Sequence, residues 1–488
     1  MQHSYTQLAL ALGSDIRAGR YQVGERLPSV REFANLKQLS VSTVIRCYRY
    51  LETQGLVEAR NKSGMYVADW KIRAGDQARA VTSKAKQAPP AVEYDKLVSL
   101  QHRMTELYSL TAQPLQLGLH LASAAPEWYP CDALSKIAQR LLRQDPMLIG
   151  VYPGGTGLPA LKTALIQWLK IAGVDLEVPD LLITNGSTEA LSVALRAVAQ
   201  AGDAVIVESP VYFGLLQMLE NLGIKAIEIP CVPGQGISLE ALEYALEHQT
   251  GVRAVVAMPS FQNPLGCSMS EKNKKRLLRL IEQHDLALIE DDVFGDLSHL
   301  PHRPQAIKAW DKQGRVIYCG SCSKSLAPAF RVGWIAGGRY QSRINSLKLS
   351  TSLITPLFEQ AVLAEFMQSG ALPSHLRKLR ERLAATIPLA TAAIQRYFPV
   401  GTQVISPAGG WWLWLELPDH VDTLALLRQA VGVGIAFTPG SLFSGSGKYA
   451  NFMRLNIGRP WGREMEYGMK TLGRLISEMG SMHAEINE

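Results

Sequence analysis

Lys324 is the residue around which the possible chemistry of this sequence gathers. It lies in Gly320-Ser321-Cys322-Ser323-Lys324-Ser325-Leu326-Ala327-Pro328-Ala329-Phe330-Arg331-Val332-Gly333-Trp334, directly after the apolar run Val316-Ile317-Tyr318-Cys319. An ammonium is strongly hydrated, so a lysine set among small residues behind a buried strand needs a reason. Attack of its amine on an aldehyde cofactor is one such reason. Ser321, Ser323 and Arg331, the last seven positions after the lysine, suit a phosphate. An ordinary surface loop could carry the same string, so other segments must decide.

Four of them agree. Thr184-Asn185-Gly186-Ser187-Thr188-Glu189 is expected to open a helix after a strand, where free amides and the hydroxyls of Ser187 and Thr188 form a phosphate cradle. Pro210-Val211-Tyr212 puts an aromatic ring after another strand, fit to stack on a pyridine ring. Asn263-Pro264-Leu265-Gly266 is a turn whose asparagine can donate to a phenolic oxygen. Glu290-Asp291-Asp292 ends a strand with three acids, one of which could hold a pyridine nitrogen protonated. A metal site is the rival reading of these acids, but no histidine pair accompanies them. Arg454, in Phe452-Met453-Arg454-Leu455-Asn456, could clamp a carboxylate bidentately or make a structural ion pair.

The elements that must position these residues are short apolar runs alternating with helix-like stretches. Leu181–Thr184, Ala204–Val207, Ala254–Met258, Ala287–Glu290 and Val316–Cys319 read as a largely parallel sheet buried on both faces. The candidate residues fall at the carboxyl ends of these runs, where open α/β sheets bind ligands. Trp411–Glu416 and 452–456 read as strands of a smaller carboxy-terminal subdomain, with the tryptophans in its core.

Over residues 115–480 these segments resemble the class I aminotransferases, of fold type I, whose cofactor is pyridoxal 5'-phosphate. The resemblance implies a role for each matching residue. Lys324 would be the Schiff-base lysine, Asp291 the partner of the pyridine nitrogen, Asn263 the partner of the phenolic oxygen and Tyr212 the stacking ring. Ser187, Thr188, Ser321, Ser323 and Arg331 would bind phosphate. Tyr152 would reach the phosphate of a partner subunit, which implies a homodimer. Arg454 would take an amino-acid carboxylate. One departure stands out: relatives place a tyrosine shortly after the aspartate, and this chain has Val293 and Phe294. Efficient transamination is not expected without that hydroxyl.

The amino-terminal part reads differently. Leu8, Leu12 and Ile16 recur at helical spacing, and Gly19 stops the helix. Ser29 and Glu32 have the form of a capping box, so a second helix should start after Ser29. Ser40 can cap a third, with Val44, Tyr48 and Leu51 facing inward. Val57 and neighbouring residues, then Met65–Ala68, flank Asn61-Lys62-Ser63-Gly64 as a hairpin. Three helices and a hairpin make a winged helix-turn-helix; a small helical cap on the larger domain is the alternative. The order of residues across 4–68 resembles the GntR-type DNA-binding domain. That resemblance implies that Arg26, Ser29 and Arg31 touch backbone or base edges of an operator. It places Ser40, Ser42, Thr43 and Arg46 towards the major groove, with Lys62, Ser63 and Gly64 at the wing tip. Many relatives carry arginine where this chain has Val41 and Ile45, so the operator sequence does not follow.

Charge agrees with this division. Residues 1–90 hold 14 lysines and arginines against 7 acids, which accounts for the entire net charge of +7 in the 488-residue chain. A polyanion partner is expected for that part alone. Between it and the large domain, 70–114 reads as a linker that ends in one amphipathic helix carrying Leu97, Leu100, Met104, Leu107 and Leu110. The expected domains are thus 1–69, 70–114 and 115–480. Apolar residues make up 47% and charged residues 19% of the chain. With no long apolar run and no leader-like start, this composition suggests a soluble cytoplasmic protein that binds no membrane. Six cysteines, Cys319 and Cys322 among them, make no disulfide framework and read as small buried residues.

A GntR-type reader joined to an aminotransferase-like domain is similar in arrangement to the MocR subfamily of bacterial regulators. That resemblance implies a transcription regulator whose cofactor domain senses a small amine, an amino acid or pyridoxal phosphate itself. Two alternatives remain at this point: a working aminotransferase that carries a DNA-binding domain, and a DNA-binding protein whose large domain only dimerises.

Overall fold

The computed structural model describes residues 5–17, 20–53, 56–60, 64–68, 93–96, 100–152 and 154–487. The chain forms two compact units, Met1–Ala91 and Val92–Glu488.

In the first unit, helices span Tyr5–Arg17, Val30–Lys37 and Val41–Thr53, and the strands Val57–Arg60 and Gly64–Val67 pair antiparallel. The second helix starts where local chemistry demands. The Ser29 hydroxyl accepts from the Glu32 amide, and the Glu32 carboxylate accepts from the Ser29 amide at 2.8 Å, satisfying two free donors reciprocally. The Ser40 hydroxyl likewise accepts from the Thr43 amide at 3.2 Å. Leu12, Ile16, Phe33, Val44, Tyr48 and Leu51 form the shared core. Phe33 stacks on Tyr48 at 5.5 Å, and the Tyr48 hydroxyl donates to the Pro28 carbonyl at 2.7 Å, tying the third helix to the turn before the second.

The second unit is built on a nine-stranded sheet. Leu181–Thr184, Ala204–Ser209, Lys225–Val232, Val252–Ala257, Ala287–Asp291 and Val316–Ser321 run in one direction. Gly333–Ala336 runs against them, between Val316–Ser321 and Leu181–Thr184. The central strands are buried along their length because helices cover both faces, which is why they read as unbroken apolar runs. A four-stranded antiparallel sheet holds Gln403–Ile405, Trp412–Glu416, Thr438–Pro439 and Phe452–Asn456, and Trp411, Trp412 and Trp414 are buried, as expected for core residues. Cys319 and Cys322 are buried and unbridged. The last helix, Arg463–Asn487, runs beyond residue 480.

The helix read from the sequence near residue 100 spans Gln101–Thr111, and Leu100, Met104 and Leu107 join the largest core of the second unit. The strand Glu93–Lys96 adds to the sheet edge beside Lys225–Val232. Residues 93–96 and 100–114 thus pack as part of the second unit. Three apolar side chains on one helical face are better buried against a core than left in water.

The capping box predicts a measurable local stability. Ser29→Ala should cost about 1 kcal/mol. Amide exchange across Val30–Lys37 should then speed up roughly fivefold, with exchange in the central strands of the second unit unchanged.

Candidate functional site

Lys324 follows the strand Val316–Ser321 directly, and its amine donates to the Ala122 carbonyl at 2.5 Å. Burial pushes the amine down to about 8; the nearby Arg454 and Arg331 guanidinium groups push the same way, and Asp291 opposes them. The residue read as ordinary loop or cofactor lysine is therefore a neutral-prone amine held by a backbone carbonyl.

The phosphate-type groups converge on one corner. The helix Gly186–Val198 begins immediately after Leu181–Thr184, leaving the first amides and the Ser187 and Thr188 side chains at its amino terminus. Arg331 lies against this terminus. Its Nη1 donates to the Ser323 hydroxyl at 3.0 Å, and a Cβ on Gly186 would sit 2.5 Å from its Nη2. Only glycine fits at 186, which also has φ +77°. Ser321 is turned inward: its hydroxyl lies 3.0 Å from the Ser323 hydroxyl and 3.0 Å from the Val332 carbonyl, and accepts from the Ser323 amide. It shapes the turn that carries Ser323 and Lys324.

Beside this corner is a cavity lined by Glu208, Val211, Tyr212, Met258, Asn263 and Asp291, among others. The ring of Tyr212 folds over Gly214, where a Cβ would meet it. Asp291 ends its strand 6% exposed and accepts from the Val293 amide at 3.2 Å. Burial raises it to about 7, the Val293 amide and Lys324 pull it down, and Asp292 adds to the rise. A cation against it would restore full ionisation. The three consecutive acids divide by strand alternation. Glu290 accepts from the amides of Ile307 and Lys308 at 2.7 and 2.9 Å. Asp292 accepts from Arg303 Nη2 at 2.8 Å and from the Tyr318 hydroxyl at 2.6 Å. Only Asp291 faces the cavity.

Arg454 is 1% exposed. Its Nη1 donates to Asn263 Oδ1 at 2.9 Å, and its Nη2 to the His120 carbonyl at 2.8 Å and the Thr438 hydroxyl at 3.2 Å. Its Nε has no partner, and no carboxylate pairs with it among the described residues. The Asn263 oxygen being engaged, its amide nitrogen is left to donate elsewhere. Phe294 packs edge-on to Trp411 and Trp412, and the Lys324 amine lies 5.8 Å from its ring centre. The side chain that departs from the expected tyrosine thus faces the lysine with carbon. Tyr152 stands apart from this cluster, 83% exposed.

In the first unit, Arg26 bridges to Tyr66, and its guanidinium lies over Gly64, so these two expected DNA-contacting positions come together. Ser29 and Ser40 serve as helix caps, and Thr43 hydrogen-bonds Ser40 at 2.8 Å. Arg31 falls on the second helix and Ser42 and Arg46 on the third. Lys62 and Ser63 lie outside the described residues.

The cavity and the amine fit pyridoxal phosphate on observations of the chain itself. A lysine whose ammonium is disfavoured by burial, a buried carboxylate in want of a cation, and a helix terminus under an arginine suit an aldehyde, a pyridine nitrogen and a phosphate respectively. Two residues of the site escaped sequence reading. Glu208 is the penultimate residue of the strand Ala204–Ser209 and lines the cavity, and an acid directly after the apolar run Ala204–Val207 was the available signal. The Ala122 carbonyl carried no signal, since a backbone acceptor has no residue type.

Residues 122–468 match the family described as aminotransferase class I and II, and residues 4–67 match the bacterial regulatory proteins of the gntR family. The chain belongs to the class I and II aminotransferase family in its second unit, joined to a GntR-type helix-turn-helix, and its large domain is a pyridoxal-phosphate domain of fold type I. It is 35% identical to the uncharacterized HTH-type transcriptional regulator YjiR of Escherichia coli, over 97% of this chain and 98% of that one. It is 29% identical to the probable rhizopine catabolism regulatory protein MocR of Rhizobium meliloti, over 89% of this chain and 86% of that one. Among solved structures, the Pyrococcus horikoshii kynurenine aminotransferase superposes with a TM-score of 0.71 at 30% identity, covering 78% of this chain and 95% of that one. No helix among the described residues is long and apolar enough to cross a membrane.

The depressed lysine gives a signed pH dependence. From about pH 8 up to the ordinary lysine value of 10.5, Lys324 is neutral when folded and protonated when unfolded, so its contribution to stability improves as pH rises through that window. Capture of pyridoxal phosphate by borohydride should rise with a midpoint near pH 8. Asp291→Asn should move the midpoint lower, because it removes the carboxylate that favours the ammonium. A midpoint at the ordinary lysine value would mean a hydrated amine.

Proposed function

We propose that this chain is a pyridoxal-phosphate-dependent transcription regulator whose large domain senses a small amino compound bearing a carboxylate. The observation that carries this reading is Arg454: a fully buried guanidinium with an unpaired Nε and no carboxylate partner among the described residues. A buried arginine without a counterion is costly unless a ligand supplies one. It shares Asn263 with the cofactor cavity, so a ligand carboxylate there would sit close to Lys324.

Bound pyridoxal phosphate supplies an aldehyde carbon and an electron-withdrawing ring. The residues of this chain do the rest. Lys324, held by the Ala122 carbonyl, would supply the amine for that aldehyde. Asp291 would keep a proton on the pyridine nitrogen. Arg331, Ser323 and the amides at Ser187 and Thr188 would hold the phosphate, with Ser321 fixing the turn. Tyr212 would stack on the ring, and the Asn263 amide would donate to the phenolic oxygen. Phe294 offers no hydroxyl to that oxygen, which favours holding a ligand over turning it over.

The route to DNA starts next to Arg454. Phe443 packs 5.3 Å from its guanidinium, and the Phe443 carbonyl accepts from the Val211 amide at 2.9 Å. Arg103, on the helix that follows the linker, donates to the carbonyls of Ser441, Ser444 and Gly445. Glu228 holds the same loop through the Ser444 hydroxyl at 2.8 Å and the Gly445 amide at 2.7 Å, and its strand pairs with Glu93–Lys96. A ligand that moves the 441–445 loop therefore pulls on the chain as it leaves the linker. A ligand shifts DNA binding only by preferring one arrangement of this assembly.

The first unit reads a double-stranded operator. In this reading its contacts with DNA come from Ser40, Ser42, Thr43 and Arg46, with Arg26, Ser29, Arg31, Lys62, Ser63 and Gly64 as further contacts. The chain acts as a homodimer, with the exposed Tyr152 reaching the partner subunit, so that two half-sites are read together.

A screen of amino acids and amines by cofactor absorbance, followed by DNA titration of each hit, tests the reading. A carboxylate-bearing hit should change spectrum and DNA affinity together, with little oxo-acid formed. Arg454→Met should weaken that hit roughly 10- to 100-fold. A hit that shifts the spectrum but leaves DNA affinity unchanged would break the coupling, and rapid oxo-acid production would favour an enzyme. In the reader, Arg46→Ala should cost about 1–3 kcal/mol at its operator and relax sequence preference there. Unchanged affinity and preference would misplace the recognition helix.

A further inference from the structure

Glu208 is 2% exposed and lines the same cavity as Asp291. One carboxyl oxygen accepts from the Met258 amide at 3.1 Å; the other, Oε1, is buried with no partner. The strand order explains the proximity. Ala204–Ser209 and Ala287–Asp291 flank Val252–Ala257, so the two acids stand at the carboxyl ends of strands one apart.

The titratable groups around Glu208 are few. Asp291 faces it across the cavity, Tyr212 lines the same cavity, Cys231 comes from the strand Lys225–Val232, and Cys267 follows the Asn263–Gly266 turn. None is a cation. Burial raises both thiols, Cys267 to about 12, and raises the Tyr212 hydroxyl as well, so none of the three supplies charge at neutral pH. Glu208 therefore has the Met258 amide and the Gln262 side chain as its neutral polar neighbours, an Oε1 without a hydrogen-bond partner, and an acid as its electrostatic neighbour. Two carboxyl groups so placed do not both ionise in a dry cavity.

We propose that Glu208 is a positioning residue for the cofactor ring: it stays neutral beside Asp291, so that the pair carries one negative charge and that charge rests on Asp291, towards the pyridine nitrogen. This rests on the cofactor reading of the cavity. Burial pushes Glu208 up to about 8, with the Met258 amide and the Gln262 side chain opposing and the Asp291 charge adding, which agrees with Glu208 as the member that keeps its proton. With Asp291 fully ionised against a bound ring, its charge would hold the Glu208 proton more tightly still. Cofactor binding must then weaken as pH rises through the midpoint of the free protein, by at most about tenfold per pH unit for one proton.

The test uses the full-length chain. Dissociation constants for pyridoxal phosphate are measured between pH 6.5 and 9.5, roughly a unit and a half either side of the Glu208 midpoint, for wild type and Glu208→Gln. Glutamine keeps the acceptor for Met258 and cannot ionise. The two proteins should agree within about threefold at the acid end, where Glu208 is neutral in both. Above the midpoint the wild type should fall behind by up to about tenfold per pH unit. A ratio that stays constant across the range overturns the proposal. Failure of the wild type to bind at any pH would instead overturn the cofactor reading. As a second measurement, the infrared spectrum of the wild-type holoprotein at neutral pH should carry the carbonyl band of a buried protonated carboxyl group. Its absence overturns the proposal even if Glu208→Gln does not fold.

Discussion

The structure depends on charges kept out of water at the carboxyl ends of parallel strands. Lys324, Asp291 and Glu208 there, and Arg454 on the antiparallel sheet, sit where burial opposes their charged forms. Lys324 and Asp291 favour each other's charge, but the two arginines and Asp292 work against that pairing. Such an arrangement is uneconomical as a scaffold. It becomes sensible when a ligand brings a phosphate, a pyridine nitrogen and a carboxylate to complete each partner set.

The surrounding protein supports this strain with ion-paired and hydrogen-bonded networks. Behind Asp291, Arg303 is held between Asp292 and Asp296, and Tyr318 donates to Asp292. Lys348 pairs with Glu189 at 2.7 Å, which neutralises an acid in the first turn of the phosphate-facing helix while Glu189 accepts from the Asn185 amide. His375 binds the Ser325 carbonyl at 2.7 Å, steadying the backbone next to Lys324. Glu208 Oε1, which lines the cavity, and Arg454 Nε, beside Asn263, are among the buried polar atoms left without a partner.

The attachment of the linker is the other organising feature. An apolar helix face and Arg103 fix the chain to the loop that overlies Arg454, and Glu106 adds an ion pair to Arg428 at 2.6 Å. The first helix of the cofactor domain is therefore tied to the loop that packs on Arg454.

Much of this was legible in residue order. Apolar runs ended in polar residues because strands buried on both faces expose chemistry only at their ends, and Ser29 with Glu32 announced a helix start because capping is local. Lys324, Asp291, Asn263, Tyr212 and Arg331 could be named from resemblance and type, and the segment that carries Arg454 already read as a strand. Tertiary structure alone decided the rest. Which of three adjacent acids faces the cavity depends on strand register and on Arg303 lying behind the sheet. The turn that commits the Ser321 hydroxyl inward depends on a contact with Val332. The helix at Gln101–Thr111 belongs to the core because a complementary surface waits for Leu100, Met104 and Leu107, and amphipathic spacing does not say which surface that is. Glu208 becomes an electrostatic neighbour of Asp291 only when strands distant in sequence lie one apart in the sheet, so its charge state is a property of the fold and not of the segment that carries it.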